Sequence, residues 1–353
     1  MAAPSEKLFL EIASLPNFRV LWGPKTNADS EKSKNVVLYR SSRPDLLDER
    51  GLSFFKKLKI KRILDFRSKK EYRKANGKKV LDETYPVYKV AFPHGRNYKP
   101  NETVILKSVP NRRCNFEWFT KLAKGKVNQE AGDQSSDNTP LGQHILLDFF
   151  SAAYIWTVFK RAPWYLQLYS LIFLAIDIIF NTGYMYFVRF FARNVLNPTG
   201  LIGQYKDMID MSQRSICAAL KLLTDNENYP VLINCAHGKD RTGIVSALVL
   251  SCLGLPRQYI ITEYALSRMG TLNMKERLYT EIVKRFHMSE EFVTAEADTM
   301  NQLLDYICEK YGCIKNYLEC IGFGETEQEK LKEQLGKYIE INEGDDKILC
   351  PDF

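Results

Sequence analysis

The chain has 353 residues, of which 45% are hydrophobic and 26% charged, so it can bury a full core. This length favours a single domain, 1–353, with insertions rather than two equal domains. Fifty Lys and Arg residues outnumber 42 Asp and Glu residues, which gives a net charge of +8. The excess favours phosphate groups or an acidic membrane surface as partners. No known nucleic-acid-binding motif accompanies this excess, which argues against nucleic acid as a partner.

The N-terminus and the cysteines predict the cellular compartment. Residues 1–7 lack the apolar core of a signal peptide, and the eight cysteines lack the spacing of a secreted disulfide framework. We therefore expect a cytoplasmic protein, and two forms of membrane association stay open, a peripheral one and an anchored one. Cys350 stands where prenylation would need it, but Asp352 occupies a position that favours an aliphatic residue, so a frayed tail is expected.

Residues 1–92 are predicted to alternate strands and helices. The strand candidates are residues 36–40, 61–66 and 86–91, and a helix after the first contains Leu52, Phe55 and Leu58. Asp65 and Arg67 stand where the second strand ends, and ligands gather at the carboxyl ends of parallel strands. Two interpretations stay open for this pair: groups that contact or support a substrate, and a buried structural ion pair.

Residues 93–146 are predicted to be an irregular polar insertion. Within them, Gln129–Thr139 is poor in apolar residues and rich in Asp, Ser, Asn and Gln, which is typical of a mobile loop.

Residues 147–196 are predicted to be an apolar helical insertion. A membrane span needs about 20 apolar residues, and Asp177 interrupts this run. A single crossing would also separate strands that must share one sheet. A lid or membrane-docking hairpin is therefore favoured over ordinary buried helices and over a span. Its flanking basic residues are Lys160, Arg161, Arg189 and Arg193.

The part of the chain from residue 205 onwards is predicted to contain helices before and after one strand. Tyr205–Thr224 has helical periodicity, Val231–Ile233 is a β-type apolar run, and Ile244–Leu253 is an apolar helix. Residues 257–340 are expected to be helical and to pack on the same domain. The predicted fold class is α/β, with a mainly parallel central sheet flanked by helices and a helical lid or hairpin insertion.

The loop between that strand and helix, from Cys235 to Arg241, is the most informative segment. A strand, a tight loop and a helix N-terminus form an anion cradle, since loop N–H groups and the helix dipole converge there. Cys235 is expected to react as a thiolate, and Arg241 can hold two phosphoryl oxygens. Thr242 would donate a hydrogen bond to the thiolate that leaves when water hydrolyses a phosphocysteine. The predicted substrate-binding residues of the loop are Ala236, His237, Gly238, Lys239 and Gly243.

This loop resembles the Cys-x5-Arg-Thr-Gly signature of the cysteine-dependent phosphatases, and Gly-Lys-Asp-Arg-Thr-Gly is similar to their atypical tyrosine and dual-specificity branch. Further blocks in the same order resemble that branch: Asn17–Arg19, Leu38–Arg43, Ile63–Ser68 and Tyr311–Leu318. The resemblance implies phosphatase activity on a phosphorylated protein or a phosphoinositide, and helical lids between the blocks. No metal and no cofactor are expected, because neither a His/Cys cluster nor an acidic ligand cluster stands out.

Two other interpretations of the loop exist, and one of its neighbouring residues departs from the family pattern. A nucleotide-binding loop is excluded, because Ile233 stands where its first Gly belongs and Asp240 follows Lys239. The purely structural interpretation is a buried cysteine that lies beside an unrelated arginine. Asn234 stands where the superfamily usually has His, so activation of the thiol could be weaker.

The roles of three charged residues of the loop also stay open. The resemblance points to Asp240 as the proton donor, with Asp207 or Asp210 as the alternative. Lys239 is either a point charge for a polyanionic head group or a solvated rim charge. His237 is either a second positive contact at low pH or a loop residue with one backbone hydrogen bond.

The predicted function is hydrolysis of phosphomonoesters through a phosphocysteine. The substrates are phosphotyrosine, phosphoserine or phosphothreonine, or a phosphoinositide. One alternative is an inactive module of the same fold that binds phospholipid or phosphoprotein at a membrane surface. Another is a scaffold anchored by the apolar hairpin.

Overall fold

A computed structural model describes residues 12–23, 36–75, 77, 79–109 and 141–336. They contain one seven-stranded sheet with helices on both faces, which confirms the predicted α/β class. The strands are β1 Arg19–Trp22, β2 Leu38–Ser41, β3 Arg62–Asp65, β4 Val87–Ala91, β5 Ile105–Ser108, β6 Gln143–Leu146 and β7 Val231–Asn234. Their order is β1-β2-β7-β3-β6-β4-β5. The inner five strands are parallel, and β1 and β5 pair antiparallel at the edges.

The helices are α1 Glu49–Lys57, α2 Lys69–Lys74, α3 Ala152–Arg161, α4 Trp164–Ile179, α5 Met185–Phe191, α6 Asn197–Met211, α7 Gln213–Leu223, α8 Asp240–Cys252, α9 Arg257–Gly270, α10 Lys275–Tyr279, α11 Ala297–Tyr311, α12 Ile314–Cys320 and α13 Glu325–Gly336. Short 3₁₀ turns are Pro44–Leu46, Val80–Glu83, Asn226–Asn228, Leu272–Met274 and Glu290–Val293, and π turns are Ala192–Leu196 and Thr280–Lys284.

The register of the parallel strands brings their carboxyl ends to one level. Asn234 at the end of β7 pairs with Ser41 of β2 on one side and with Asp65 of β3 on the other. Asp65 in turn pairs with Leu146 of β6. The segments that follow these four strands therefore lie side by side at one edge of the sheet, where ligands of such sheets bind.

Two apolar clusters cover the two faces of the sheet. Val231 and Ile233 of β7 pack in the larger cluster, with buried side chains of α7 and α8. Leu232, which points to the opposite face, packs in the smaller cluster with Phe55 of α1. Burial on both faces explains why β7 is a continuous apolar run instead of an alternating one.

Several element boundaries differ from the sequence predictions. The region predicted to be irregular, 93–146, contributes β5 and the inner strand β6 to the sheet. The predicted helix Tyr205–Thr224 is two helices, α6 and α7, that meet at Ser212. The predicted loop Gln129–Thr139 and the C-terminal Cys350 lie outside the described residues.

Helices α4 and α5 pack together as a hairpin, with the rings of Phe173 and Phe190 4.9 Å apart. Asp177 is buried near the end of α4. Its carboxylate accepts hydrogen bonds from the N–H groups of Tyr186 (3.1 Å) and Phe187 (2.7 Å), so it caps α5. Large apolar side chains of α4 stay exposed, and that of Trp164 is 76% exposed. No helix of the described ranges is both long and apolar enough to cross a bilayer.

Candidate active site

Cys235 directly follows β7, and only 1% of its surface is exposed. The loop after it leads into α8, a helix of 13 residues whose N-cap residue Lys239 makes no side-chain capping bond. The first N–H groups of a helix have no intrahelical partner. A cysteine beside an uncapped helix N-terminus is the anion-binding arrangement that the sequence predicts.

Gly238 gives the loop its turn. Its φ is +68°, and a Cβ at this position would lie 2.2 Å from the carbonyl oxygen of Ser41, so only glycine fits. The Gly238 carbonyl accepts hydrogen bonds from Asn17 Nδ2 (2.9 Å) and Arg40 Nη2 (2.8 Å). The N-terminal blocks that carry the family resemblance therefore hold the loop in shape.

Arg40 belongs to a buried cluster in which two arginines share one carboxylate. Glu263 of α9 pairs with Arg40 at 2.5 Å and with Arg19 at 2.9 Å, and both guanidinium groups are fully buried. Ser267 Oγ accepts a further hydrogen bond from each arginine. Burial and the charge of Arg40 lower the pKa of Arg19 to about 9, while Glu263 opposes that shift.

The Arg241 guanidinium is held by three groups. Its two terminal nitrogens donate to the two oxygens of Glu71 at 2.9 and 2.8 Å, and Nη1 also donates to the Phe66 carbonyl at 3.0 Å. The Phe150 ring lies 4.8 Å from Cζ. Burial disfavours the charged form, but Glu71 outweighs it and raises the pKa of Arg241. The bidentate pair fixes the plane of the guanidinium at the start of α8.

Asp240 accepts a hydrogen bond from Tyr205 Oη (2.7 Å) and pairs with Lys239 Nζ (3.1 Å). Tyr205 is in turn hydrogen-bonded to Tyr264 Oη at 2.8 Å. Burial alone would raise the pKa of Asp240, but the Lys239 charge and the Tyr205 hydrogen bond outweigh it and lower that pKa. These contacts favour a carboxylate over a carboxylic acid.

Lys239 is fully buried, which corrects the prediction of a solvated rim charge. Its ammonium donates to the backbone carbonyls of Phe292 (2.9 Å) and Thr294 (2.5 Å) and pairs with Asp240. These contacts with Phe292, Thr294 and Asp240 strengthen the base of the loop. A contact between Lys239 and substrate stays a prediction.

The opposite side of the loop packs against Glu281, which lies in the π turn Thr280–Lys284. His237 Nε2 lies 2.9 Å from Glu281 Oε2, and Arg43 Nη2 donates to Glu281 Oε1 at 3.0 Å. The Arg43 N–H also reaches the Ala236 carbonyl at 3.4 Å. Burial lowers the pKa of His237, and the Glu281 carboxylate opposes that shift. The ring nitrogen of His237 therefore bonds a carboxylate, and neither sequence interpretation foresaw this partner.

Three further residues lie in or next to the loop. Thr242 Oγ1 is buried and has no hydrogen-bond partner among the described residues. A Cβ on Gly243 would lie 2.9 Å from the Tyr264 ring, so glycine lets α8 approach α9 closely. Asn234 is fully buried, and its Nδ2 reaches the Cys235 carbonyl at 3.5 Å.

Asp65 and Arg67 form a buried ion pair. Arg67 Nη2 lies 2.6 Å from Asp65, Nη1 lies 2.5 Å from Asp45, and His144 Nε2 lies 3.0 Å from Asp65. Burial would raise the pKa of Asp65, but the Arg67 charge outweighs it and holds this pKa far below its usual range. Both side chains are fully buried, so they stabilise the β3 end of the site and do not reach its surface.

The alternative proton donors Asp207 and Asp210 point elsewhere. Asp207 pairs with Arg161, and Asp210 accepts from Tyr306 Oη and Lys310 Nζ, both at 2.6 Å. Both aspartates line a cavity of about 570 Å³ to which no residue of the 235–243 loop contributes.

Sequence reasoning missed three carboxylates and a tyrosine that support the loop: Glu71, Glu263, Glu281 and Tyr205. A local signal existed for Glu71, because Ser68-x-x-Glu71 is a capping box, which the structure contains at the start of α2. The others approach the loop from positions distant in sequence, and no local pattern marks them.

The described part of the chain contains no group of three or more His, Cys, Asp or Glu side chains that could hold a metal ion.

Comparisons with known proteins agree with this geometry. Residues 10–172 and 192–337 match the tyrosine phosphatase family. The chain is 30% identical to the triple specificity protein phosphatase PtpB of Mycobacterium tuberculosis over 138 residues, which cover 35% of the chain and 49% of that protein. It is 26% identical to a tyrosine-protein phosphatase of Nostoc commune over 40% of the chain and 50% of that protein. It is 34% identical to the inositol diphosphatase DSP2 of Oryza sativa subsp. japonica over 21% of the chain and 35% of that protein.

The chain thus spans about half the length of the first two relatives, whereas the family match covers well over half of the chain. The match includes the loop with Cys235 and Arg241 as well as the N-terminal blocks that hold it. The chain belongs to the tyrosine phosphatase family.

Proposed function

We propose that the chain hydrolyses phosphomonoesters through a phosphocysteine at Cys235. The observation that carries the proposal is the position of Cys235 at the uncapped N-terminus of α8, with the Arg241 guanidinium fixed beside it. This arrangement provides a nucleophile, N–H donors and a planar cation for one phosphoryl group.

The reaction has two steps. Cys235 Sγ attacks phosphorus in line, so that an S–P bond forms while the ester P–O bond breaks and the leaving oxygen takes a proton. Water then attacks phosphorus, the S–P bond breaks, and inorganic phosphate leaves. Thr242, whose hydroxyl group has no partner within the described part of the chain, would donate a hydrogen bond to the departing thiolate. The family resemblance implies Asp240 as the source of the proton that the leaving oxygen takes, although its contacts with Lys239 and Tyr205 favour the ionised form.

The substrate class is proposed from the relatives and the composition. The relatives are named as phosphatases of triple specificity, of tyrosine and of inositol diphosphates, and a net charge of +8 suits anionic substrates of each kind. We therefore propose phosphotyrosine, phosphoserine or phosphothreonine, or a phosphoinositide as substrate. Buried Lys239 gives no preference among them.

The test compares Cys235→Ser with wild type on a phosphotyrosine peptide, a phosphoserine peptide and phosphoinositide vesicles. We expect wild type to release phosphate from at least one substrate and Cys235→Ser to release none while still binding it. Cys308→Ser, at an exposed cysteine outside the site, is the control and should keep full activity. If wild type releases nothing and both forms bind, the chain is a binding module and the proposal fails.

A second proposal concerns the hairpin of α4 and α5. We propose that this hairpin docks on an anionic membrane surface. Its exposed apolar residues include Trp164, Leu168, Leu171, Ile172, Ile178, Ile179 and Phe180. Arg161 and Lys160 lie at the end of α3 that joins it, and Arg189 lies within α5. An apolar face bordered by cations fits an acidic lipid surface. The family match omits residues 173–191, so the second half of the hairpin is not part of what the family shares.

Sedimentation with vesicles tests this second proposal. Wild type should bind vesicles that contain phosphatidylserine more tightly than pure phosphatidylcholine, and Ile179→Glu should weaken binding about tenfold or more, since an isoleucine leaves the lipid. Leu272→Glu, at another exposed apolar residue, is the matched control. Equal binding by both variants would contradict docking through the hairpin.

A further inference from the structure

Asp148 lies at the same edge of the sheet as the loop. It follows β6 by two residues, and the last residue of β6 pairs in register with Asp65 of β3. Leu147 N–H donates to the Asp65 carbonyl at 2.8 Å, which keeps the chain on the sheet edge beyond the strand. Asp148 is therefore two strands from Cys235, with β3 between them.

Hydrogen bonds fix the backbone around Asp148. Ser215 Oγ donates to the Asp148 carbonyl at 2.5 Å, and Ser212 Oγ donates to the Phe149 carbonyl at 2.7 Å. The Phe150 N–H donates to Asp148 Oδ1 at 3.0 Å, and this is the one hydrogen bond that the carboxyl group receives from the described residues. The Phe150 ring packs on Arg241, and the Arg241 charge acts on the Asp148 carboxyl group.

The charges around Asp148 differ from those around Asp240. Partial burial raises the pKa of Asp148, and the nearby Glu71 carboxylate adds to the shift, while the Phe150 N–H and the Arg241 charge oppose it. The pKa of Asp240 is lowered, because Lys239 and Tyr205 both stabilise its ionised form. A proton donor must carry its proton when the substrate binds. Asp148 meets that condition better than Asp240.

We propose that Asp148 is the general acid and base of this site, and that Asp240 positions the loop through Lys239 and Tyr205. This inference rests on the proposed phosphatase function. In the first step, the P–O bond breaks, its electron pair stays on the ester oxygen, and that oxygen takes the proton of Asp148. In the second step, the Asp148 carboxylate accepts a proton from the attacking water as the S–P bond breaks, which restores the acid.

The test compares two substrates that differ in their need for a proton. The oxygen that leaves phenyl phosphate requires protonation, whereas that of 2,4-dinitrophenyl phosphate departs as a stable anion. For Asp148→Asn we expect kcat/KM on phenyl phosphate, which reports the first step, to fall about 10²-fold or more, and kcat/KM on 2,4-dinitrophenyl phosphate to change only a few-fold. The decline of wild-type kcat/KM at high pH on phenyl phosphate, where Asp148 loses its proton, should be absent in the variant.

Three further variants make the outcome decisive. Asp207→Asn removes another aspartate whose pKa is raised by burial but which pairs with Arg161 outside the loop, and it should leave both substrates unaffected. If Asp240→Asn shows the substrate-dependent loss and Asp148→Asn does not, the inference is overturned and Asp240 is the donor. If Asp148→Asn fails to fold, Asp148→Glu takes its place. Its kcat/KM on phenyl phosphate must still decline at high pH, whereas its kcat/KM on 2,4-dinitrophenyl phosphate must not. Wild type that releases phosphate from neither ester, from neither phosphopeptide and not from phosphoinositide vesicles would instead overturn the proposed function itself.

Discussion

Glu71 accepts two hydrogen bonds from Arg241, and a single substitution can test its role. It also accepts a hydrogen bond from the Ser68 N–H as part of the α2 capping box, so its side chain is held from two sides. A guanidinium held in one plane is preorganised for two phosphoryl oxygens, and misplacement by about 1 Å can cost 10²-fold in rate.

We predict that Glu71→Gln lowers kcat/KM for an aryl phosphate about tenfold to a hundredfold, because the neutral amide loses one of the two hydrogen bonds and the charge. Steady-state kinetics measures the loss. Glu102→Gln is the matched control, since Glu102 forms a similar bidentate pair with Arg96 on the exposed surface. Higher activity in Glu71→Gln would mean that Glu71 restrains Arg241 and competes with substrate, contrary to a positioning role.

The sequence predicted the residues of the loop better than their contacts. Cys235, Arg241 and Gly238 were found because strand, loop and helix are contiguous in sequence. The burial of Lys239 was not foreseen, because its acceptors are carbonyls of Phe292 and Thr294, more than fifty residues away. Side-chain contacts between distant segments leave no local pattern, so they require the fold.

Among the elements, four of the seven strands in the described sheet were predicted and three were missed. Strands β2, β3, β4 and β7 were anticipated within a few residues, whereas β1, β5 and β6 were not. The residues of β5 are mostly exposed, so no continuous apolar run marks this strand. The break between α6 and α7 was also missed, because Ser212 bonds the Phe149 carbonyl, a tertiary contact that overrides the helical periodicity.

The consequence of missing β6 is specific. With residues 93–146 interpreted as irregular, Asp148 was not recognised as the residue that follows a strand of the sheet. Once β6 is placed beside β3, its carboxyl end lies at the edge where ligands bind.

For the molecule as a whole, Glu263 links the first two strands to α9. It is nearly buried and compensates both Arg19 and Arg40, so its removal takes away the carboxylate that these two buried guanidinium groups share. Removing one partner of a buried ion pair costs about 3–5 kcal/mol.

We predict that Glu263→Gln lowers the free energy of unfolding by about 3–5 kcal/mol in urea titrations. Glu296→Gln, which breaks an exposed pair with Arg268, should change it by about 1 kcal/mol or less. Equal effects of the two variants would show that the buried cluster contributes little to stability.

The hydrogen bonds that Asn17 and Arg40 donate to Gly238 bear on how shorter versions of the chain can be made. A fragment trimmed to start after Ser42 keeps Cys235 and α8 but loses both donors, the β1–β2 edge and the contact of Trp22 with the Leu335 carbonyl. A shortened chain that keeps the loop in this shape must therefore include this leading stretch, although it lies far before Cys235 in the sequence.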